Sequence, residues 1–322
     1  MMASHPKISV ITPAYNVASY IGQCLESVQA QTLSDWEMLI VDDASADDTV
    51  AVVQRYLSDP RIRLLQNPQN IGPSDTRNRA LEAAQGEWVA VVDADDWIAP
   101  ERFEKLLHFA ESHGVEMVAD LQVYQTAWGS VYQVSWATYA KPPKTPRPYS
   151  IEEVIKAHPS FKPLLKRAFL NTQQIRYQSG IRVSEDYAFF IEVLLKGGRF
   201  ALLPEPMYYY RVRPGTTVTR YDVLEERRKS LEYLLQLPQT TPRIAKLLRW
   251  AYRRERTYAL YPQLARCVKR GEWRTAAKLL RESPQLIRLL LIALPQALYR
   301  RLFNREKLVD PWHEKIHKEA HR

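Results

Sequence analysis

Residues 8–92 alternate four times between a short apolar run and a segment of helical periodicity, and few folds accept that rhythm. Ile8-Ser9-Val10-Ile11-Thr12-Pro13 reads as a strand stopped by proline. Residues 18–31 then place Ile21, Leu25 and Val28 on one helical face. A second strand over 36–41 ends at Asp42-Asp43, and the helix expected over 46–57 has Asp47 and Asp48 in its first turn, where carboxylates suit the helix dipole. A third strand (61–65), a helix (73–84) and a fourth strand (88–92) follow. Repeated β-α units predict an α/β domain with a mainly parallel sheet and right-handed crossovers. Residues 223–237, 242–268, 272–281 and 285–303 carry apolar positions at helical spacing with basic residues between them. The division expected is a domain over 1–220 and a basic helical region over 221–322.

Composition narrows the class. Of 322 residues, 46% are hydrophobic and 25% charged, which are globular values. Cys24 and Cys267 are the only cysteines and have no metal-ligand spacing, so a reducing, cytoplasmic setting is expected and a disulfide scaffold is not. The start is polar, and the apolar run at 8–11 is too short for a signal peptide. The most apolar long stretch, 286–298, contains Arg288 and Pro295 and does not read as a membrane span. Charge is uneven: residues 241–322 hold 20 Lys and Arg against 7 Asp and Glu, a net of +13, and the whole chain is +9, so residues 1–240 carry −4. A basic tail on a mildly acidic body suits an anionic partner.

Three expected strand ends meet on one edge of such a sheet: Thr12-Pro13-Ala14-Tyr15-Asn16, Asp42-Asp43-Ala44-Ser45 and Asp93-Ala94-Asp95. Open α/β sheets bind ligands at that edge. Asp93, Asp95 and Asp96 crowd three carboxylates into four residues, which is unfavourable without a cation between them. A hard divalent ion bridging to a phosphate, Mg²⁺ or Mn²⁺, fits oxygen ligands of this kind. An ordinary turn with a helix entry over 96–101 fits the same residues. There is no Gly-x-Gly-x-x-Gly after the first strand and no Gly-Lys-Ser/Thr loop, which excludes the common dinucleotide and P-loop classes.

The ordered set of motifs resembles the family 2 glycosyltransferases, which have the Rossmann-like GT-A fold. It comprises Val10 to Asn16, Gln31-Thr32, Val41-Asp42-Asp43-Ala44-Ser45 with Asp48-Thr49, Asn70-Ile71-Gly72 with Arg77-Asn78, and Asp93-Ala94-Asp95-Asp96-Trp97. Ser184-Glu185-Asp186-Tyr187-Ala188-Phe189-Phe190 and Tyr208-Tyr209-Tyr210-Arg211 complete it. The resemblance implies an inverting, metal-dependent transfer of one sugar from a nucleotide sugar, with UDP expected. Pro13, Ala14 and Tyr15 are then expected to form the base slot and Asp43 to accept from the uracil imide, leaving Asp42 structural. Arg77 reaches the nucleotide or its phosphates, unless it is a solvated helix charge. Asp93 and Ala94 lie on the ribose side, Asp95 is the direct metal ligand and Asp96 an outer-sphere or acceptor-side group. Asp186 is the candidate general base, preferred over Glu185, while Ser184 also reads as the N-cap of the helix that follows.

Departures from the family pattern qualify this. Arg213 stands where many relatives carry a histidine. It cannot ligate a metal but, with Arg211, can neutralise a diphosphate. Ala44 replaces the usual glycine, which reads as a mild change. The Gln-x-x-Arg-Trp motif of processive synthases is missing; Lys246-Leu247-Leu248-Arg249-Trp250 is the nearest echo. Trp97, Tyr124 and the stretch 128–182 are expected to shape donor selectivity. The basic tail, with its apolar run from Leu286 to Phe303, reads either as a bundle packed on the catalytic domain or as a contact with an anionic membrane face. The latter would suit a lipid-linked glycan acceptor in bacterial surface polysaccharide or lipopolysaccharide assembly. No nucleic-acid module is present. The alternatives are a soluble or protein acceptor, or a non-catalytic nucleotide-sugar scaffold.

Overall fold

The computed structural model describes residues 5–126, 131–135, 137–138, 140–212 and 222–287. Four strands alternate with three helices at the start. They are β1 (Ile8–Ala14), α1 (Ile21–Gln29), β2 (Trp36–Asp42), α2 (Thr49–Gln54), β3 (Ile62–Gln66), α3 (Pro73–Ala83) and β4 (Trp88–Val91). Their order across the sheet is β3-β2-β1-β4, and every pairing among them is parallel. β2 is buried along its whole length, as expected for a parallel strand covered on both faces. Trp36, Trp88, Phe103 and Tyr208 anchor the core on which these elements pack.

Beyond β4 the sheet continues through β9 (Leu164–Lys166), β6 (Met117–Thr126), β10 (Phe200–Val212) and β5 (Trp97–Ile98). β7 (Val131–Ser135) pairs with β6, and β8 (Arg147–Tyr149) with β10. The second half is mixed: β9 runs antiparallel to both β4 and β6, whereas β6 and β10 are parallel. The sheet is thus parallel throughout its first half and mixed in its second. The short strands that change direction lie in the stretch whose sequence carries no clear period.

Two local expectations are corrected. Residues 96–101 do not enter a helix. Trp97 and Ile98 form β5, antiparallel to Tyr208 and Tyr209, and helix α4 begins only at Arg102 (Arg102–His113). The cause is Asp96, almost fully buried, which accepts 2.8 Å hydrogen bonds from the Tyr208 hydroxyl and the Arg211 amide. Ala44, for its part, is not a mild change from glycine. Its φ is 59°, in the left-handed region where a Cβ costs about 1–2 kcal/mol. Ala44→Gly should raise stability by about 1 kcal/mol, less what glycine gains in chain entropy when unfolded. Denaturant titration checks this, and a destabilised variant would show that Ala44 is held by packing rather than strained.

The chain divides into compact units at Thr241/Pro242, some twenty residues later than expected. The reason is helix α8 (Val223–Gln236), capped by Asp222, which packs on α7 (Glu185–Leu195). The Tyr233 hydroxyl donates to Glu192 at 2.6 Å, and the Arg182 amide donates to Glu226. The second unit contains α9 (Pro242–Arg270) and α10 (Trp273–Glu282), close to the ranges expected. They share a core of Tyr261, Leu264, Cys267, Ala276, Leu279 and Leu286. Among the described residues no helix is long and apolar enough to cross a membrane. Of the segment expected to face a membrane, Leu286 to Phe303, Leu286 is buried in this core and Ile287 is exposed, and the rest lies outside the described residues.

Candidate active site

The carboxyl ends of β1, β2 and β4 and the start of α7 open into one cleft of about 550 Å³. Pro13, Ala14, Tyr15, Asp43, Arg77, Asp93, Ala94, Asp95, Glu185 and Asp186 all line it. Arg213 lies outside the described residues.

On one side Tyr15 is 39% exposed, a large aromatic left open to the cleft. Beside it Asp43 is buried and already engaged. Its Oδ1 accepts from Asn67 Nδ2 at 2.8 Å and the Ile71 amide at 2.9 Å, and Oδ2 accepts from the Gly72 amide at 2.9 Å. A carboxylate offers about four acceptor positions, so one remains on Oδ2. Asp43 thus ties the 67–72 loop to the end of β2. Asp42 is more buried, takes the Ser45 amide on Oδ2, and does not line the cleft.

On the other side the side chains form a ring of alternating charge. Arg77 is 4% exposed, so it is not a solvated helix charge. Its guanidinium donates to Asp93 Oδ1 at 2.8 Å and Glu185 Oε1 at 2.7 Å, and Nη1 lies 3.7 Å from Asp186 Oδ1. Lys162 closes the ring, with Nζ 2.7 Å from Asp93 Oδ2 and also donating to Asp186 Oδ2. Burial opposes the charge on each cation, yet the surrounding carboxylates, Asp186 foremost, hold both Arg77 and Lys162 well above their ordinary pKa values. Burial likewise works against ionised Asp93, but Lys162 and Arg77 hold it well below the usual carboxylate range. Glu185 moves the other way, raised by burial and then by neighbouring Asp186. Ser184, just before this pair, takes a left-handed φ of 66° and its side chain makes no cap hydrogen bond. It turns the chain without capping it. Asp186 Oδ1 is buried and has no hydrogen-bond partner among the described residues.

Lys162 was not legible as a site residue. The one signal is a lysine set between Phe161 and Pro163-Leu164-Leu165, where a solvated charge has no place. Its position follows from β9, whose Leu164 pairs with Ala90 of β4. The residues just before β9 therefore meet those just after β4.

Of the three clustered carboxylates, Asp93 is committed to two cations. Asp96 is raised well above its ordinary pKa by burial, then by Asp95 and Asp93, is turned toward Tyr208 and is not among the residues that line the cleft. Asp95 lines the cleft. Among the described residues no three His, Cys, Asp or Glu side chains gather to hold a metal. A hard divalent ion can still be held by one or two carboxylates when a diphosphate and water complete its shell, so the donor set fits an ion that arrives with phosphate. Arg211 does not reach the cleft. Its Nε donates to the Asp95 carbonyl at 2.9 Å, and its guanidinium lies 4.6 Å from the Trp97 ring, which stacks on Tyr209. Trp97 is accordingly part of this packing and not of the cleft wall, whereas Tyr124 lines the cleft and tilts against Tyr210.

The Glycosyl transferase family 2 profile matches residues 9–172. The chain belongs to this family of glycosyltransferases. It is 36% identical over 217 residues to the succinoglycan biosynthesis protein ExoO of Rhizobium meliloti, covering 66% of this chain and 62% of ExoO. The chain thus spans less than two thirds of that relative's length. Among solved structures, TarS 1-349 of S. aureus in complex with UDP-GlcNAc superposes with a TM-score of 0.68 at 24% identity, covering 87% of this chain and 81% of that one. Its complex with UDP gives 0.63 at 26% identity, covering 79% and 74%. The GT-A mannosyltransferase PcManGT of Pyrobaculum calidifontis, in complex with GDP-Man and Mn2+, shares the fold, with a TM-score of 0.58 at 18% identity and coverage of 94% and 89%.

Proposed function

We propose that this chain transfers a single sugar from a UDP-sugar to a hydroxyl of a glycan acceptor, with inversion, in polysaccharide assembly. The observation that carries this is the meeting, in one cleft, of an exposed aromatic (Tyr15), a loop tied by Asp43, the carboxylate of Asp95 and the carboxylate pair Glu185-Asp186. Tyr15 stacks on the base, with Pro13 and Ala14 as the floor of the slot. Asp43 shapes the slot through the 67–72 loop and keeps one acceptor position for the imide N–H. Arg77, Asp93 and Ala94 form the wall beside the ribose and diphosphate. UDP is favoured because TarS was solved with UDP and UDP-GlcNAc, and ExoO carries a polysaccharide name.

In the reaction the acceptor oxygen bonds to the anomeric carbon as the bond to the diphosphate breaks, and the electron pair leaves with UDP. The acceptor proton goes to the Asp186 carboxylate, in the first turn of α7. Orientation of donor and acceptor in a shaped cleft supplies much of the rate. A Mg²⁺ or Mn²⁺ ion held by Asp95 and the diphosphate would neutralise charge on the leaving group.

Calorimetric titration of UDP and GDP, each with Mn²⁺ and with EDTA, tests the reading. UDP should bind at least about 10-fold more tightly with Mn²⁺, a difference of about 1.4 kcal/mol. Asp95→Asn should remove that difference while leaving the metal-free affinity. Tighter binding of GDP would overturn the UDP assignment. Failure of the folded chain to bind either nucleotide would overturn the donor-site reading.

A further inference from the structure

We propose that Lys162 is the positioning residue of the transfer step, setting the orientation of Asp186 and tying it to the donor side through Asp93. The inference rests on Asp186 being the base. Lys162 is 7% exposed and so cannot be a solvated surface charge. Its ammonium has three donor hydrogens, and the structure directs two of them to carboxylate oxygens on different elements. One is Asp93 Oδ2, just past β4, and the other is Asp186 Oδ2, in the first turn of α7. Engaging Oδ2 leaves Oδ1 as the oxygen of Asp186 without a hydrogen-bond partner. A carboxylate able to rotate about its Cβ–Cγ bond would exchange its two oxygens, and the Lys162 contact on Oδ2 selects the orientation in which Oδ1 lies 3.7 Å from Arg77 Nη1.

The lysine is itself held. Its carbonyl accepts from Arg102, a fully buried guanidinium that pairs with buried Asp120 at 2.7 Å. Next to it, Leu164 is locked between Ala90 of β4 and Val118 of β6. These contacts anchor the backbone from which Lys162 reaches both carboxylates, and a displacement of about 1 Å in a catalytic group can cost about 100-fold in rate. Asp93 is held by Arg77 at 2.8 Å as well, so losing the lysine contact leaves the donor-side wall in place and the main effect falls on the reacting end.

Lys162→Gln keeps a donor but loses the charge and the reach to both carboxylates, while Lys162→Arg keeps the charge and moves the nitrogens. For the Gln variant the expected result is UDP affinity and donor KM within about 3-fold of the parent, with kcat lower by about 100-fold. The Arg variant should recover part of that loss. In an Asp186→Asn background the Gln substitution should lower residual transfer by no more than about 3-fold, because the group it positions is gone. A Gln variant with parental kcat, beside an inactive Asp186→Asn, would overturn the inference and leave the base assignment standing. So would a loss of kcat matched by an equal loss of UDP affinity. If Asp186→Asn itself transfers normally, the base assignment has failed, and that outcome is separable from any effect at Lys162. Should the Gln variant not give a cooperative melt, the Arg variant decides, since parental kcat there overturns the positioning role.

Discussion

Asp186→Asn is expected to lower sugar transfer by about 1,000-fold while UDP affinity stays within about 3-fold of the parent. The substitution keeps size and shape, and its amide oxygen can still accept from Lys162, so the ring of charges persists with one carboxylate fewer. What disappears is the second acceptor oxygen. In the parent, Oδ1 is buried and without a hydrogen-bond partner, 3.7 Å from Arg77 Nη1. Leaving a buried carboxylate oxygen unsatisfied costs stability, and sites that tolerate such a cost are often those where substrate supplies the partner. Glu185, the other candidate, is placed differently. Its Oε1 is taken by Arg77 at 2.7 Å, and burial together with Asp186 raises its pKa, so its protonated form is favoured more than in water. Initial rates with saturating donor, beside calorimetric UDP titration, distinguish the two. If Asp186→Asn transferred normally and Glu185→Gln did not, the roles would be exchanged.

The strand ends were legible because their signals are local. A short apolar run closed by Pro13, by Asp42-Asp43 or by Asp93 identifies both the strand and its edge, and parallel β-α order then places those edges side by side. What escaped depends on partners far away in the chain. Lys162 takes its meaning from Asp186, 24 residues on, and from Asp93 across β9, and nothing beside it in sequence announces either. Asp96 reads as a cap because its neighbours look like a helix start. The Tyr208 hydroxyl, 112 residues later, turns it into a buried carboxyl and its flank into a strand. Ala44 shows the reverse case: the departure from glycine is visible in the sequence, but its cost is set by a φ that composition does not encode. The division at Thr241 likewise rests on tertiary packing of α8 against α7, which periodicity within α8 cannot reveal.

Replacing Arg77 with methionine should have the largest effect on stability. The side chain is 5% exposed, and the guanidinium faces Asp93, Glu185 and Asp186, with the Tyr177 ring 5.4 Å from its centre. Methionine fills comparable volume but removes the charge from a site where three carboxylates converge. Removing one partner from a buried ionic cluster typically costs about 3–5 kcal/mol, because the remaining charges stay buried. For a unit of this size that corresponds to a fall in Tm of about 10 °C. The loss should also depend on pH. In the parent, Asp93 is held below its unfolded pKa by Lys162 and Arg77, so its contribution to stability is present above the unfolded value and is lost as pH falls through the folded one. Without Arg77 the folded pKa values of Asp93 and Glu185 rise, Glu185 from a value that burial already elevates. A group whose folded pKa exceeds its unfolded one favours the folded state at low pH and loses that contribution as pH rises through the folded value. The gap in Tm between parent and variant should therefore be wider at pH 8 than at pH 5. Thermal melts at both values measure it. A gap that is constant, or wider at the acid end, would show that Arg77 acts by packing against Tyr177 and not by balancing the carboxylates.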